Sequence, residues 1–338
     1  MRRGFPAGFV FSGALLAGGL GYGLAQEPLR FELPVACQIG SLCVVQNYVD
    51  HEPGPGAKDH TCGPLTYDKH RGIDIRVPGF PEAREGMAVI AAAPGTVKRT
   101  RDGMDDRSVR EAGPEAVRGR ESGNAVIIDH GHGWVSQYSH LRKGSVAVKP
   151  GDRVEAGAKL GLVGLSGKTE FPHLHFAVRK DGQTLDPFTG LPPESGCGNA
   201  GESLWSPAAQ AALRYRAGGL LYAGFSGAAP TSEAILRGEH RGEALSAEAN
   251  ALVFWALSWG LREGDKETIR ILGPDGQVFA EGTSYLPEDK AQWLRFTGRR
   301  RKAAPFAPGT YRGEYTVERT QAGRTTRVVA VTRAFEVR

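Results

Sequence analysis

The sequence of 338 residues is poor in several residues and motifs that mark common protein classes. It contains three methionines and four cysteines, and aromatic residues make up 8% of the chain. No CxxC pair occurs, so a zinc site built from paired thiolates is not indicated. No HExxH segment occurs either, so a helical zinc site with a glutamate base is excluded. Any metal chemistry must therefore come from histidines and carboxylates in another arrangement.

Basic charge is present without the pattern of a nucleic-acid-binding protein. The net charge is +5 and the sequence pI is about 9.0. The arginines are scattered, and neither an aromatic-interleaved basic helix nor a groove-reading motif occurs. An anionic partner is compatible with this charge, but we expect no nucleic acid among the partners.

Long apolar runs are confined to the N-terminus. The basic lead MRRGFPAG precedes FVFSGALLAGGLGYGL, and small residues before Gln26 offer a cleavage point. The apolar run has about 16 residues and is rich in glycine, which is short for a membrane span. We therefore predict a signal peptide over residues 1–25, with an uncleaved anchor as the competing interpretation. We expect no stable membrane span after cleavage and a periplasmic or secreted location in the cell envelope.

Export makes the four cysteines interpretable as disulfides, because an even number in an oxidising compartment indicates pairing. Three connectivities are possible. The short gap between Cys37 and Cys43 favours a local loop, which leaves Cys62 to pair with Cys197. We therefore predict a disulfide-bearing N-terminal segment over residues 26–66.

Short β-strands dominate the rest of the chain. Runs such as IDIRV, NAVIIDHG and HLHFAVRK are β-branched or alternating and are separated by glycine and proline. A polar insertion over residues 101–122 is predicted to be a solvated loop or a wall beside a groove. Residues 191–203 have the composition of a linker. We predict an all-β protein, with one β domain over residues 67–200 and an accessory immunoglobulin-like β-sandwich over residues 201–338.

Two features bear on the type of the second domain. Gly309-Thr310-Tyr311 enters a predicted strand where immunoglobulin-like sandwiches carry a tyrosine. Trp255, Trp259 and Trp293 are expected to fill the core of the sandwich rather than to bind sugar.

The histidines concentrate in the first domain, where eight of the nine lie between residues 51 and 175. In an extended chain His70 and Asp74 share a face, and Gly72 between them keeps that face uncrowded. His173 and His175 also share a face. Imidazole nitrogens and carboxylate oxygens are good zinc ligands. Either histidine of the second pair could therefore complete a three-residue site with an open coordination position, as in catalytic zinc sites.

A further histidine, His140, ends the alternating stretch GHGWVSQYSHL, so HxxxD, YxH and HxH occur in order within about a hundred residues. These motifs stand together with AVIAAAPGTV and VKPGDRVEAGAKLGLVGLSG, and the set covers about residues 67–187. This region resembles the lysostaphin-type or LytM-type zinc endopeptidases, which cut peptide cross-links in bacterial cell walls. The resemblance implies that the first domain is an antiparallel LytM-type metallopeptidase fold.

The resemblance also implies a role for each residue. The family's zinc ligands fall on His70, Asp74 and His175, and its two non-ligand catalytic histidines fall on His140 and His173. The implied function is a zinc-dependent endopeptidase acting on peptidoglycan, with zinc-bound water attacking the scissile carbonyl. Which histidine is the general base stays open. Family members that lack these residues serve as activators, so a catalytically silent wall-binding protein that activates another cell-wall hydrolase is the alternative.

The chain departs from the family just before PHLHF. Many members have a turn of small residues there, whereas this chain has Ser166-Gly167-Lys168-Thr169-Glu170-Phe171. The charged Glu170 and the bulky Phe171 are expected to alter the shape of the substrate pocket.

Overall fold

The computed structural model describes residues 1, 2, 4, 29–240, 242 and 244–338. The predicted signal peptide, residues 1–25, lies almost wholly outside the described residues. Within the described part, no helix has the length and apolar character needed to cross a membrane. The described chain is nearly all β, as predicted, with a few short helices.

The elements in chain order are β1 (Val44–Asn47), β2 (Ile73–Arg76), α1 (Phe80–Glu85), β3 (Ala88–Ile90), β4 (Gly95–Arg101), α2 (Val109–Ala112), β5 (Asn124–Gly131), β6 (Trp134–Leu141), β7 (Arg153–Val154), β8 (Lys159–Leu162), β9 (His173–Lys180), β10 (Gln183–Leu185), α3 (Pro207–Ala212), β11 (Gly219–Ser226), α4 (Ser232–Arg237), β12 (Ala244–Leu245), β13 (Ala251–Leu261), β14 (Lys266–Leu272), β15 (Val278–Tyr285), β16 (Lys290–Arg300), β17 (Gly309–Gln321) and β18 (Arg324–Val337).

The first domain is built on an antiparallel sheet in the order β1-β2-β9-β6-β5-β4-β7, with β10 pairing at the end of β9. Side chains alternate between the two faces of a strand. In β2, Ile73 and Ile75 therefore enter the hydrophobic core, while Asp74 and Arg76 point to the opposite face. All four are buried, so both faces of this strand are covered.

The N-terminal segment belongs to the same body as this sheet. Strand β1 extends the sheet beyond β2, and Phe31 and Tyr48 are buried in the core of the first domain. Both predicted disulfides form: one closes the local loop from Cys37 to Cys43, and the other joins Cys62 to Cys197. The second bond ties the segment before the candidate site to the end of the first domain.

The polar insertion over residues 101–122 is held against the first domain by carboxylates. Asp102 accepts backbone hydrogen bonds from Gly144 and Val146, at 2.8 and 3.2 Å. Asp106 accepts from the backbone of Lys143 and Leu165, at 2.9 and 2.7 Å. These contacts fix the insertion, which carries the short helix α2, as a wall.

The second β-region is a two-sheet sandwich. One sheet has the order β11-β13-β16 and the other the order β12-β18-β17-β14-β15, and both contribute to one buried core. Pairing is antiparallel except between β12 and β18. The hydroxyl of Tyr311, at the start of β17, donates to the carbonyl of Ala307 at 3.1 Å. This is the tyrosine contact expected of an immunoglobulin-like sandwich.

The expectation that three tryptophans fill the sandwich core was wrong for two of them. Along β13, Phe254 faces the sandwich core, so its neighbour Trp255 faces outward. Trp255 packs beneath α4, and Trp259 is buried in the core of the first domain. Only Trp293 packs against the core of the sandwich. Both faces of β13 are therefore used, one for each domain.

Removing the two disulfides should have unequal effects on stability. The Cys62–Cys197 bond spans a sequence separation of 135 residues, and the Cys37–Cys43 bond spans 6. In the chain-entropy model these loops correspond to about 5 and about 2 kcal/mol of stabilisation. We expect the Cys62→Ala/Cys197→Ala double variant to lose more free energy of unfolding in urea titrations. The Cys37→Ala/Cys43→Ala double variant is the control, and an equal or larger loss there would contradict the expectation.

Candidate metal centre

The register between β2 and β9 places the candidate site on one face of the sheet. Asp74 lies opposite His175, and Arg76 lies opposite His173. Opposed residues in an antiparallel pair carry their side chains on the same face. On the other side of β9, Ser139 of β6 pairs with His175, which brings the end of β6 to the same place.

Three side chains converge to the distances expected around one metal ion. The Nε2 atom of His70 lies 3.1 Å from Oδ1 of Asp74 and 3.2 Å from Nδ1 of His175. The latter two atoms are 2.9 Å apart. Among the residues that the structure describes, this is the one group of three or more such side chains whose ligand atoms all lie within 4.8 Å of one another. Two imidazoles and a carboxylate form a donor set that suits zinc and leaves coordination positions open.

Neighbouring groups orient these side chains. The Nδ1 atom of His70 lies 2.6 Å from the carbonyl oxygen of Tyr48. A carbonyl only accepts, so Nδ1 donates to it, and Nε2 is the ring nitrogen that faces the site. Asn47 donates from Nδ2 to Oδ2 of Asp74 at 2.9 Å, which leaves Oδ1 facing the two histidines. Both partners come from β1 and the residue after it.

Gly72 leaves the space that the His175 ring fills. A Cβ atom built at this position would lie 2.7 Å from Cε1 and Nε2 of His175 and 2.7 Å from the carbonyl oxygen of Phe176. Real Cβ contacts are not that short, so any side chain here would displace the imidazole. The sequence-based interpretation of Gly72 as the residue that keeps this face uncrowded agrees with this geometry.

Charge in the site is concentrated on one carboxylate. Burial raises the pKa of Asp74, but the imidazoles of His70, His173 and His175 outweigh burial and hold the pKa well below its usual value. Burial lowers the pKa of His70, but the adjacent carboxylate outweighs this effect and raises the pKa above its usual value. Asp74 is therefore ionised, as a metal ligand must be.

His140 and His173 lie beside this cluster and outside it. Their ring centroids are 4.7 Å apart, and the His140 ring is 6.0 Å from that of His175. His140 donates from Nδ1 to the carbonyl of Ser166 at 2.7 Å. His173 places Nδ1 2.9 Å from the carbonyl of Phe171. In each ring the Nε2 atom is then the one that carries a lone pair into the site.

Both histidines are buried, and burial favours their neutral form. Burial, followed by the nearby imidazoles of His173 and His175, lowers the pKa of His140 well below its usual value. Burial also lowers the pKa of His173, although Asp74 opposes this shift. The backbone of His140 has φ 64°, in the left-handed region that non-glycine residues rarely adopt. Such conformations concentrate at functional sites.

Sequence patterns did not reveal every residue of this site. Asn47 lies 27 positions before Asp74 and belongs to no motif. Thr169 places its hydroxyl 3.0 Å from Nδ1 of His173, within a turn that the sequence identifies only as a departure. Arg76 is predicted as an ordinary strand residue, yet it is fully buried beside His173. Hydrophobic periodicity cannot mark such residues, because their partners are distant in sequence.

The chain is similar to known proteins in both sequence and structure. Residues 68–187 match the description "Peptidase family M23". The DD-carboxypeptidase/endopeptidase Mpg of Neisseria meningitidis is 32% identical over 124 residues, which cover 36% of this chain and 23% of Mpg. The peptidoglycan DD-endopeptidase ShyA of Vibrio cholerae is 37% identical over 65 residues, which cover 19% of this chain and 15% of ShyA. The chain spans less than two thirds of the length of the curated relatives it matches.

Among solved structures, the catalytic domain of the prophage-encoded M23 protein EnpA from Enterococcus faecalis is similar at 27% sequence identity. The match covers 44% of this chain and 92% of the EnpA chain, with a TM-score of 0.31.

Replacing Gly72 by alanine should weaken zinc binding without removing a ligand. The added Cβ would push the His175 ring away from Asp74, and we expect the zinc dissociation constant to rise by about tenfold or more, as for changes that reorient a ligand. Competition with a chromophoric chelator measures this constant. The Gly54→Ala variant is the control, since a Cβ there would have its nearest neighbour at 3.7 Å. Unchanged zinc affinity in Gly72→Ala would refute this account of the glycine.

Proposed function

From the match of residues 68–187 to peptidase family M23, we propose that the protein is a zinc-dependent endopeptidase that hydrolyses the peptide cross-links of bacterial peptidoglycan. One observation carries the proposal: the convergence of His70, Asp74 and His175, with His140 and His173 beside them. The names of Mpg and ShyA support the choice of substrate and indicate a bond between D-amino acids. In a directly cross-linked wall this bond joins D-alanine to a diamino acid.

The residues at the centre fit a zinc ion. His70 would bind through Nε2, His175 through Nδ1 and Asp74 through Oδ1, since these atoms face one another. When bound, zinc supplies Lewis acidity, which activates water and polarises a peptide carbonyl. The hydrogen bonds from Asn47 and to the Tyr48 carbonyl hold two of the ligands in place before the metal arrives.

His140 and His173 would move the protons of the reaction. Each donates from Nδ1 to a backbone carbonyl, so each enters the reaction with an unprotonated Nε2. One ring can take the proton of the attacking water, and that ring then becomes cationic. This cationic imidazole would stabilise the negative charge that develops on the carbonyl oxygen and then return the same proton to the leaving amine.

The proposed place of action is the cell envelope, in the periplasm or outside the cell. Peptidoglycan lies there, and the predicted signal peptide and the two disulfides agree with export. The alternative function, activation of another hydrolase by a silent domain, gains no support from the site, because none of the five residues is missing.

Alanine variants should divide the five residues into two classes. His70→Ala, Asp74→Ala and His175→Ala should lose or weaken zinc and abolish hydrolysis, because each removes a ligand. His140→Ala and His173→Ala should keep near-stoichiometric zinc while hydrolysis falls by roughly a hundredfold or more. Metal analysis beside release of soluble muropeptides measures both properties. Zinc loss in His173→Ala with retention in His175→Ala would reverse the ligand assignment, and normal hydrolysis in all five would favour the activator.

The pH dependence of kcat/KM should reflect the depressed pKa values. An imidazole that must be neutral becomes available as pH rises through its pKa. The pKa values of His140 and His173 are lowered. The midpoint of the acid limb of the kcat/KM profile should therefore lie below about pH 6.5, the usual pKa of histidine. The limb should move or vanish in His140→Gln. Zinc content measured at every pH is the control against metal loss, and an acid midpoint above the usual value in zinc-loaded protein would contradict the assignment.

A further inference from the structure

A cleft of about 890 Å³ lies between the two domains, next to the candidate metal centre. On the first domain its lining includes Arg76 and Phe171, together with the wall formed by the insertion. On the accessory domain it is lined by α4 and the start of β16, including Gln292. Phe171 connects the cleft to the catalytic side, because its ring lies 5.0 Å from the His173 ring and 4.3 Å from the Arg76 guanidinium.

Arg76 is a buried cation that has no acidic partner among the described residues. Its side chain is 0% exposed, and no carboxylate of the described chain forms an ion pair with it. Its NH1 and NH2 groups donate to the amide oxygens of Gln46 at 2.7 Å and of Gln292 at 2.8 Å. Its Nε has no hydrogen-bond partner. Burying a charge is costly unless it is paired, and a neutral amide oxygen is a weaker partner than a carboxylate.

The other charged side chains that line the cleft largely balance one another. Arg110 and Arg237 are paired with Glu170 and Glu233. Arg142 donates to a backbone carbonyl and forms no ion pair with a described carboxylate. The lining also carries the carboxylates of Asp106, Glu111 and Asp289, so the positive charge that suits an anion is local to Arg76 and is not spread over the cleft.

We propose that this cleft binds a peptide that carries a free carboxylate. The carboxylate binds to the Arg76 guanidinium at the position that the Gln292 side chain occupies in this structure. The ligand's carboxylate replaces a neutral amide oxygen with a charge-assisted, bidentate partner for the guanidinium. The accessory domain thereby sets specificity, because Gln292 on β16 must move aside for the ligand. The proposal rests on the proposed function in taking peptidoglycan peptides as the ligand, and it distinguishes peptides with free carboxylates from amidated ones.

Binding to the metal-free full chain tests the proposal separately from hydrolysis. The probes are a soluble disaccharide–tetrapeptide with free carboxylates and the same molecule with its carboxylates amidated, titrated calorimetrically in the presence of a chelator. We expect the amidated probe to bind about tenfold or more weakly than the free acid. The Gln292→Glu variant places a carboxylate on Arg76 within the protein, so it should melt at a higher temperature and bind the free acid about tenfold or more weakly.

Two variants serve as controls. Gln292→Ala removes the competing amide and should keep or increase affinity for the free acid. Gln277→Glu makes the same chemical change at an exposed turn that does not line the cleft, and it should leave affinity unchanged. Equal binding of both probes, equal weakening by Gln292→Glu and Gln277→Glu, or no binding by folded protein would overturn the proposal. Failure of the proposed function has a different signature: zinc-loaded wild type would bind the probe and leave cross-linked peptides uncut.

Discussion

The antiparallel register between β2 and β9 is the constraint on which the rest of the site depends. It sets Asp74 against His175 and Arg76 against His173, while the alternating apolar residues enter the core on the opposite face. A slip of one residue would send the carboxylate into the core and the isoleucines to the face of the candidate metal centre. Burial of Ile73 therefore helps to fix the position of Asp74, the candidate metal ligand beside it.

Backbone carbonyl groups orient most imidazoles of the site, in addition to side-chain contacts from Asp74 and Thr169. His70, His140 and His173 each direct Nδ1 to a carbonyl oxygen, of Tyr48, Ser166 and Phe171 respectively. His175 differs, because its Nδ1 faces Asp74 and its other edge rests against Gly72. Carbonyl groups of a folded sheet and its turns cannot rotate freely. The orientation of the rings is therefore set when the domain folds, which is what preorganised catalysis requires.

Local pattern was enough to predict the strands, the disulfide partners and the pairing of His70 with Asp74 on one face, whereas the choice of His175 as the third ligand came from the resemblance to the LytM-type family. HxxxD and HxH are short-range patterns. Because side chains alternate along a strand, each pattern predicts that its two residues lie on the same face. Contacts made across the fold could not be predicted in this way. Gln292 reaches Arg76 across a separation of 216 residues, and no local feature of QWLRF indicates it. The outward position of Trp255 and Trp259 was missed for a related reason, since a strand apolar on both faces gives no sign of which partner covers each face.

Strand β13 packs against both domains, with one face toward each. Phe254 faces the sandwich core, whereas Trp259, on the same strand, is buried with residues of the first domain. Every residue of β13 is buried, so neither side can be removed without exposing apolar surface on the other. The accessory domain is consequently not an independent unit joined to the first domain only by a flexible linker. Exchanging it for another sandwich would require the new module to carry a matching second apolar face.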